Sequence, residues 1–251
     1  MIFLCGLQKG MAMEKMSKHD VLMAASSSGD ASQADLSGAN LSGMELIGLT
    51  FTGSDLRGAN LSSSNLSGSN FDHCDLRGAN LSSSNFTGAS FKNAVLEKAD
   101  LTFTTFAGAD FSGADLKGAN FTNSKLTSAR FERADLTEAN LQMCDAAMLQ
   151  CAGARMARVH ARSTSMIGAG LAGCDLQGAT LYGTDLSNAD LASADLRGAD
   201  ILDATLTAAD LTNADLRGAR FRRTDLTRAK LVGLKHDPEL TDLLSRYKRG
   251  A

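Results

Sequence analysis

Residues 55–65 read DLRGANLSSSN, and residues 75–85 read the same eleven letters. The text around both copies also repeats every five residues. A five-residue rule gives no reason for an identity at twenty. A chain that turns four times before lying down on itself does.

Taking the large apolar residue of each unit as its centre, the series runs from Leu36, Leu41, Leu46, Phe51 and Leu56 to Leu226 and Leu231, forty positions without an insertion or deletion. Of these, 25 are Leu and nine are Phe, so the phase is kept over the whole stretch. The exceptions are Ala146, Cys151, Met156, Ala161, Met166 and Ile201. Two residues before each centre stands Ala, or else Ser, Thr or Cys, with Met44, Leu49, Leu149 and Val159 as larger cases. Asp or Asn usually precedes the centre, and Gly is frequent two residues after it.

A period of five matches neither helix nor simple strand alternation. It suits a chain that extends briefly, turns and extends again, with one large and one small side chain inward on each side. Gly, Ser and Asn near the turns relieve the backbone there. If four sides close one coil, residues twenty apart stack at about 4.8 Å, the spacing of any β ladder.

Three series test that closure. The motif DLxGA begins at Asp35, Asp55, Asp75, Asp115, Asp175, Asp195 and Asp215. Phe51, Phe71, Phe91, Phe111 and Phe131 share one column, continued by Leu171, Leu191, Leu211 and Leu231. Asn40, Asn60, Asn80, Asp100, Asn120 and Asn140 form a third. Forty units at four per coil predict ten coils and a rod of roughly 48 Å.

Units such as ADLSG (34–38), ANLSG (39–43), ADLKG (114–118) and ADLRG (194–198) resemble the pentapeptide-repeat protein family, whose signature is A(D/N)LxG, over about 200 residues. The resemblance implies an all-β solenoid, a right-handed quadrilateral β-helix of about ten coils with short terminal helices. The expected division is a tail and capping helix over 1–33, the β-helix over 34–233 with a degenerate stretch at 143–168, and a capping helix over 234–251. A solenoid needs its ends covered. Ser17-Lys18-His19-Asp20 has capping-box spacing, and Asp237-Pro238 reads as an N-cap followed by Pro at the first helical position. Leu240, Leu243, Leu244 and Tyr247 then fall on one helical stripe. That stripe reads as a lid on the last coil, as a homodimer contact at the C-terminal end, or as both; dimerisation there is what the resemblance implies.

The stretch 143–168 loses the consensus without losing phase. Its outward Arg155, Arg158, His160 and Arg162 have no acid between Asp145 and Asp175 along the chain. They read either as a solvated lapse in a long repeat or as a contact patch for a ligand, phosphate or partner.

Composition and motifs speak against an enzyme. The interior is assigned to Leu, Phe and Ala, and the four histidines (His19, His73, His160, His236) are scattered. Cys74, Cys144, Cys151 and Cys174 take inward positions, and no nucleotide, metal or protease motif occurs, so neither cofactor nor metal is expected. Five cysteines without CxxC fit a reducing compartment, and no signal-peptide or membrane-spanning run is present, so a cytoplasmic location is the expectation and no membrane partner.

Binding is the remaining class, and the first expectation is a non-catalytic scaffold for an unidentified protein partner. The resemblance implies an alternative, mimicry of duplex DNA toward a type II topoisomerase such as gyrase, as in quinolone resistance. Net charge is only −3, from 28 acidic and 25 basic residues. Asp55, Asp75, Asp115, Asp195 and Asp215 are each followed two residues on by Arg57, Arg77, Lys117, Arg197 and Arg217. The densest acidic run, a belt of Asp185, Asp190, Asp195, Asp200, Asp210 and Asp215, gives way to a basic end at Arg220, Arg222, Arg223, Arg228 and Lys230. Direct nucleic-acid binding is disfavoured, because no exposed aromatic is evident to stack bases.

Overall fold

The computed structural model describes residues 13–248, apart from the side chains of Leu243, Arg246 and Lys248. Parallel bridges join residues twenty apart at every fifth position, from Asp30↔Thr50 to Asp215↔Lys235, with no break across 143–168. The chain is therefore a four-sided parallel β-helix. Its sides are named here by their centres: face one holds Leu36 and Leu56, face two Leu41 and Leu61, face three Leu46 and Leu66, and face four Phe51 and Phe71.

One unit shows why the consensus reads as it does. The Leu36 N–H donates to the Asp55 carbonyl one coil on at 2.7 Å, and the Asp55 N–H donates back to the Ala34 carbonyl at 2.9 Å. The Leu36 carbonyl then accepts from the Ala39 N–H at 3.0 Å, closing a β-turn. Such a turn needs its third residue at positive φ when the corner is tight, and every residue two past a centre, from Gly38 to Gly233, lies at φ between 55° and 72°. The residue before the centre is Asp or Asn because its side chain accepts the N–H two residues on. Asp55 takes Arg57 N–H in this way at 3.1 Å, and Asn60 takes Ser62 N–H at 3.1 Å.

Inside, the centres and the small residues are buried along the rod, apart from Ala39 in the first coil and Ala219 and Phe221 near the last, which are partly buried. Phe51, Phe71, Phe91, Phe111 and Phe131 stack face to face with centroid separations of 4.7 to 5.0 Å. Phe86 and Phe106 form a second stack at 5.3 Å and meet the first edge-on. Where the consensus fails, Ala146, Leu149, Cys151, Met156, Val159, Ala161 and Met166 are all fully buried. Small centres are matched by large residues at the normally small position, and flexible Met fills what is left.

The ladder starts before its first consensus unit. Strand β1 (Glu14–Lys15) pairs with β2 (Ala34–Asp35), placing Lys15 beneath Asp35 on face one. Helix α1 (Lys18–Ser26) follows, with a complete capping box between Ser17 and Asp20, and it buries Val21 and Ala24 over the first coil. At the other end a 3-10 turn (Pro238–Leu240) leads into α2 (Thr241–Lys248). Leu244 is buried, Leu240 and Tyr247 pack on the core, and the Tyr247 hydroxyl lies 3.4 Å from the Thr224 carbonyl. The Leu243 side chain is outside the described set. Asp237 does not cap the turn it precedes; its carboxylate instead accepts the Gly218 N–H at 2.5 Å, tying the lid to the last coil.

Candidate interaction face

Stacking at twenty residues decides which charges meet, and it changes both charge groupings drawn from the linear text. Arg155 lies on face one, 3.2 Å from Asp135, and Arg158 lies at the next corner, 2.7 Å from Glu138. Each acid is one coil back. Two members of the basic cluster, Arg155 and Arg158, are therefore compensated, contrary to the expectation from their neighbours in sequence. The cluster is also split, since His160 and Arg162 stand on face two. Arg162 has no carboxylate partner among the described residues and rests over the Tyr182 ring, 4.6 Å from its centroid.

The acidic belt is likewise no single surface. Asp185 is on face three, Asp190 and Asp210 on face four, Asp195 and Asp215 on face one, and Asp200 on face two. Four of the six are paired: Asp195 with Arg197 at 2.7 Å, Asp200 with Arg220 at 3.2 Å, Asp210 with Lys230 at 2.9 Å and Asp215 with Arg217 at 2.5 Å. Part of the basic end thus answers acids one coil back, Arg220 at Asp200, Lys230 at Asp210 and Arg223 at Asp203, while Arg222 and Arg228 form no ion pair among the described residues. The Arg217 hydrogen bond holds the Asp215 carboxyl down at about 2, and Thr212, then Lys230, hold Asp210 at about 2.

Face one shows the same cancellation along its length. Arg57 bonds Asp55 at 2.5 Å and lies 3.8 Å from Asp75, which itself binds Arg77. Lys117 bridges Asp115 at 2.9 Å and Asp135 at 3.3 Å.

Face two is different. Its first six coils present Asn, Ser, Thr and Gln142, with Asp100 the single charge, and with Phe103 and Met143 at a corner. From His160 onward the outward column one past each centre reads Arg162, Tyr182, Leu202, Arg222. Backbone bonds hold these four one coil apart: Ser163 N–H to Tyr182, Gly183 N–H to Leu202 and Asp203 N–H to Arg222, at 3.0 Å each. Asp203 is bound by Arg223 at 2.6 Å, and that hydrogen bond, first among its causes, lowers the Asp203 carboxyl from its ordinary value. Phe221, the last centre of this face, is only half-buried because no coil lies beyond it. Tyr182, Leu202, Asp203 and Arg220 to Arg223 line a groove of about 350 Å³ here. Arg222 belongs to the basic end, whereas Tyr182 and Leu202 carry no motif in the linear text; the twenty-residue register, applied to the outward positions, brings them into one column with it. Phe103, 65% exposed, and Phe221 also correct the expectation that no aromatic reaches the surface.

The described residues hold no grouping of His, Cys, Asp and Glu able to bind a metal ion. Burial raises the thiols of Cys74 and Cys144 to about 12 and that of Cys174 to about 11, and pushes Cys151 up as well. Such thiols are poor nucleophiles.

A parallel ladder with a twenty-residue repeat, corners at positive φ and Asx-capped units defines the pentapeptide-repeat class. The chain belongs to that family: the pentapeptide repeat region model matches residues 32–101 and 69–141, and the pentapeptide repeats (8 copies) model matches 169–207 and 204–235. The unmatched gap coincides with the degenerate stretch, although the fold runs through it. Among solved structures, HetL, a pentapeptide repeat protein involved in heterocyst differentiation regulation from the cyanobacterium Nostoc sp. strain PCC 7120, is 28% identical. That match covers 87% of this chain and 96% of HetL, with a TM-score of 0.61. A trypsin-treated variant of QnrB1, a plasmid-mediated fluoroquinolone resistance protein, is 23% identical over 84% of this chain and 96% of its own, with a TM-score of 0.48. A pentapeptide repeat protein of the Arabidopsis thaliana thylakoid lumen is 24% identical over 53% and 75%, with a TM-score of 0.29. No curated protein sequence matches the chain. The fold is a right-handed quadrilateral β-helix.

Proposed function

We propose that this chain is a non-catalytic rod that docks a partner protein on face two of its C-terminal half. One observation carries the reading: the uncharged column Ser42, Ser62, Ser82, Thr102, Thr122 and Gln142 of the first six coils is replaced, from coil seven, by Arg162, Tyr182, Leu202 and Arg222 in unbroken register. Arg and aromatic residues are enriched where proteins meet, and Asn- and Ser-covered surface is not. Face one and much of face four carry internally paired charge, and such exposed pairs contribute little on their own; face three forms no ion pair among the described residues and presents mostly Asn, Ser, Thr and Ala, with Ile47 and Ile167 as isolated exposed apolar residues.

The same pairing weighs against duplex mimicry. Duplex DNA presents about one charge per 1.7 Å, whereas face one alternates Asp with Arg or Lys over most of its length. Purified protein at micromolar concentration is expected neither to inhibit gyrase supercoiling nor to protect it from a quinolone; inhibition would restore the mimic reading.

The docking reading is tested by affinity capture from the host with wild type, Tyr182→Ala with Arg222→Glu, and Arg197→Glu on face one. A partner retained by wild type and Arg197→Glu but lost by the face-two variant is the expected result. A partner set indifferent to the face-two changes would refute it.

A further inference from the structure

The column on face two has an unpaired arginine at each end and an apolar floor between. Arg162 and Arg222 are exposed, and among the described residues neither is within reach of a carboxylate in an ion pair, whereas Arg220 and Arg223 are held by Asp200 and Asp203. Three coil steps separate the two free guanidinium groups, roughly 14 Å at β-ladder spacing. An extended peptide rises about 3.3 Å per residue, so side chains four residues apart on one of its faces are separated by about 13 Å. The residue midway between them falls over the junction of Tyr182 and Leu202.

We propose that face two receives an extended segment of a partner protein, laid along the rod axis, with two carboxylates four residues apart and an uncharged apolar residue midway. The claim rests on the docking reading above and supplies its chemistry. Each carboxylate takes one guanidinium in a two-bond fork, a geometry that Lys does not reproduce. Arg162 is already oriented by the Tyr182 ring, which limits the side-chain freedom lost on binding. The central residue must be uncharged because Asp200 and Asp203 flank Leu202. Those two carboxylates also set the partner class. A single nucleic-acid strand would carry a phosphate past them at every nucleotide, whereas the peptide brings no charge there.

The test uses the full chain and the fluorescein-labelled nonapeptide Ser-Thr-Glu-Thr-Val-Thr-Glu-Thr-Ser, read by anisotropy. Saturable binding is expected. Replacing both Glu by Gln, or moving the second Glu one residue on, weakens it by about tenfold or more, the scale of one charged fork. Arg162→Glu and Arg222→Glu each weaken it similarly, while Arg197→Glu leaves it unchanged. Binding that ignores the Glu spacing, or an oligo-dT strand that binds more tightly than the peptide, would overturn the proposal. A random nonapeptide library selected on the intact protein separates the two levels of the claim. Recovery of a different pattern that still depends on Tyr182 and Arg222 would sink the acidic register alone. Recovery of no sequence dependent on these residues would sink the docking face as well.

Discussion

Ser64, Ser84, Thr104 and Ser124 share one inward corner, and there a hydroxyl stands in for part of the backbone. Ser84 Oγ accepts the Ser64 N–H at 3.1 Å and donates to the Leu61 carbonyl at 2.8 Å. Neither group has another backbone partner across that turn. Ser84→Ala therefore orphans both and is expected to cost about 1–3 kcal/mol. Ser69 also donates to a carbonyl, that of Leu46 at 2.8 Å, but its own N–H already bonds Leu66, and the Leu46 carbonyl keeps the Leu49 N–H. Ser69→Ala should cost less than about 1 kcal/mol. Urea midpoints at constant slope measure both, and equal losses would contradict this account of the corner. The outer corners obey a different rule: none of the positive-φ residues is Val, Ile or Thr. Gly88 sits at φ 65° with open space around it, so substitution there meets backbone strain alone. Gly88→Val is expected to destabilise by about 1–2 kcal/mol and Gly88→Asn by much less, because Asn tolerates that conformation.

At the level of single coils, the phenylalanine stack and the capped carboxylates make separate predictions. Phe91 is fully buried between Phe71 at 5.0 Å and Phe111 at 4.7 Å. Phe91→Ala should cost about 3–5 kcal/mol. Because each coil touches only its neighbours, hydrogen-exchange protection should fall around residues 71–111 and persist near Leu191 and Leu211. Uniform loss along the rod would contradict that one-dimensional picture. Hydrogen bonds to Arg217 and to Thr212 depress Asp215 and Asp210 to about 2, below the ordinary Asp value of about 3.9. A folded value below the unfolded one stabilises above the unfolded value and loses that contribution as pH falls through the folded one. The melting temperature should accordingly be steady from pH 7 to about 5 and decline between about pH 4 and 2. A rise on acidification would show that these carboxylates repel rather than bind.

Along the whole molecule, the fold was open to reading in the text because one local rule repeats forty times without slipping. Asp55 with its Asx turn, Gly58 at positive φ and buried Leu56 each leave a mark at a fixed offset. The surface was less legible for the opposite reason. Arg158 is compensated by Glu138, and Lys230 answers Asp210; these partners are twenty residues away, so a count of neighbouring charges misplaces both. Tyr182 carries no motif and gains meaning only when stacked between Arg162 and Leu202. The chain ends drew on tertiary contacts that no repeat encodes, as where Asp237 reaches Gly218 instead of capping its own turn.

Four outward residues of one coil, Tyr182 on face two, Ser187 on face three, Ala192 on face four and Arg197 on face one, offer a scan around the rod at a single height. Each is replaced in turn by a photo-crosslinking phenylalanine analogue in the host cell, and protein adducts are resolved by mass. The docking account predicts an adduct from position 182 and none from the other three. Adducts from another face, or from all four alike, would contradict it.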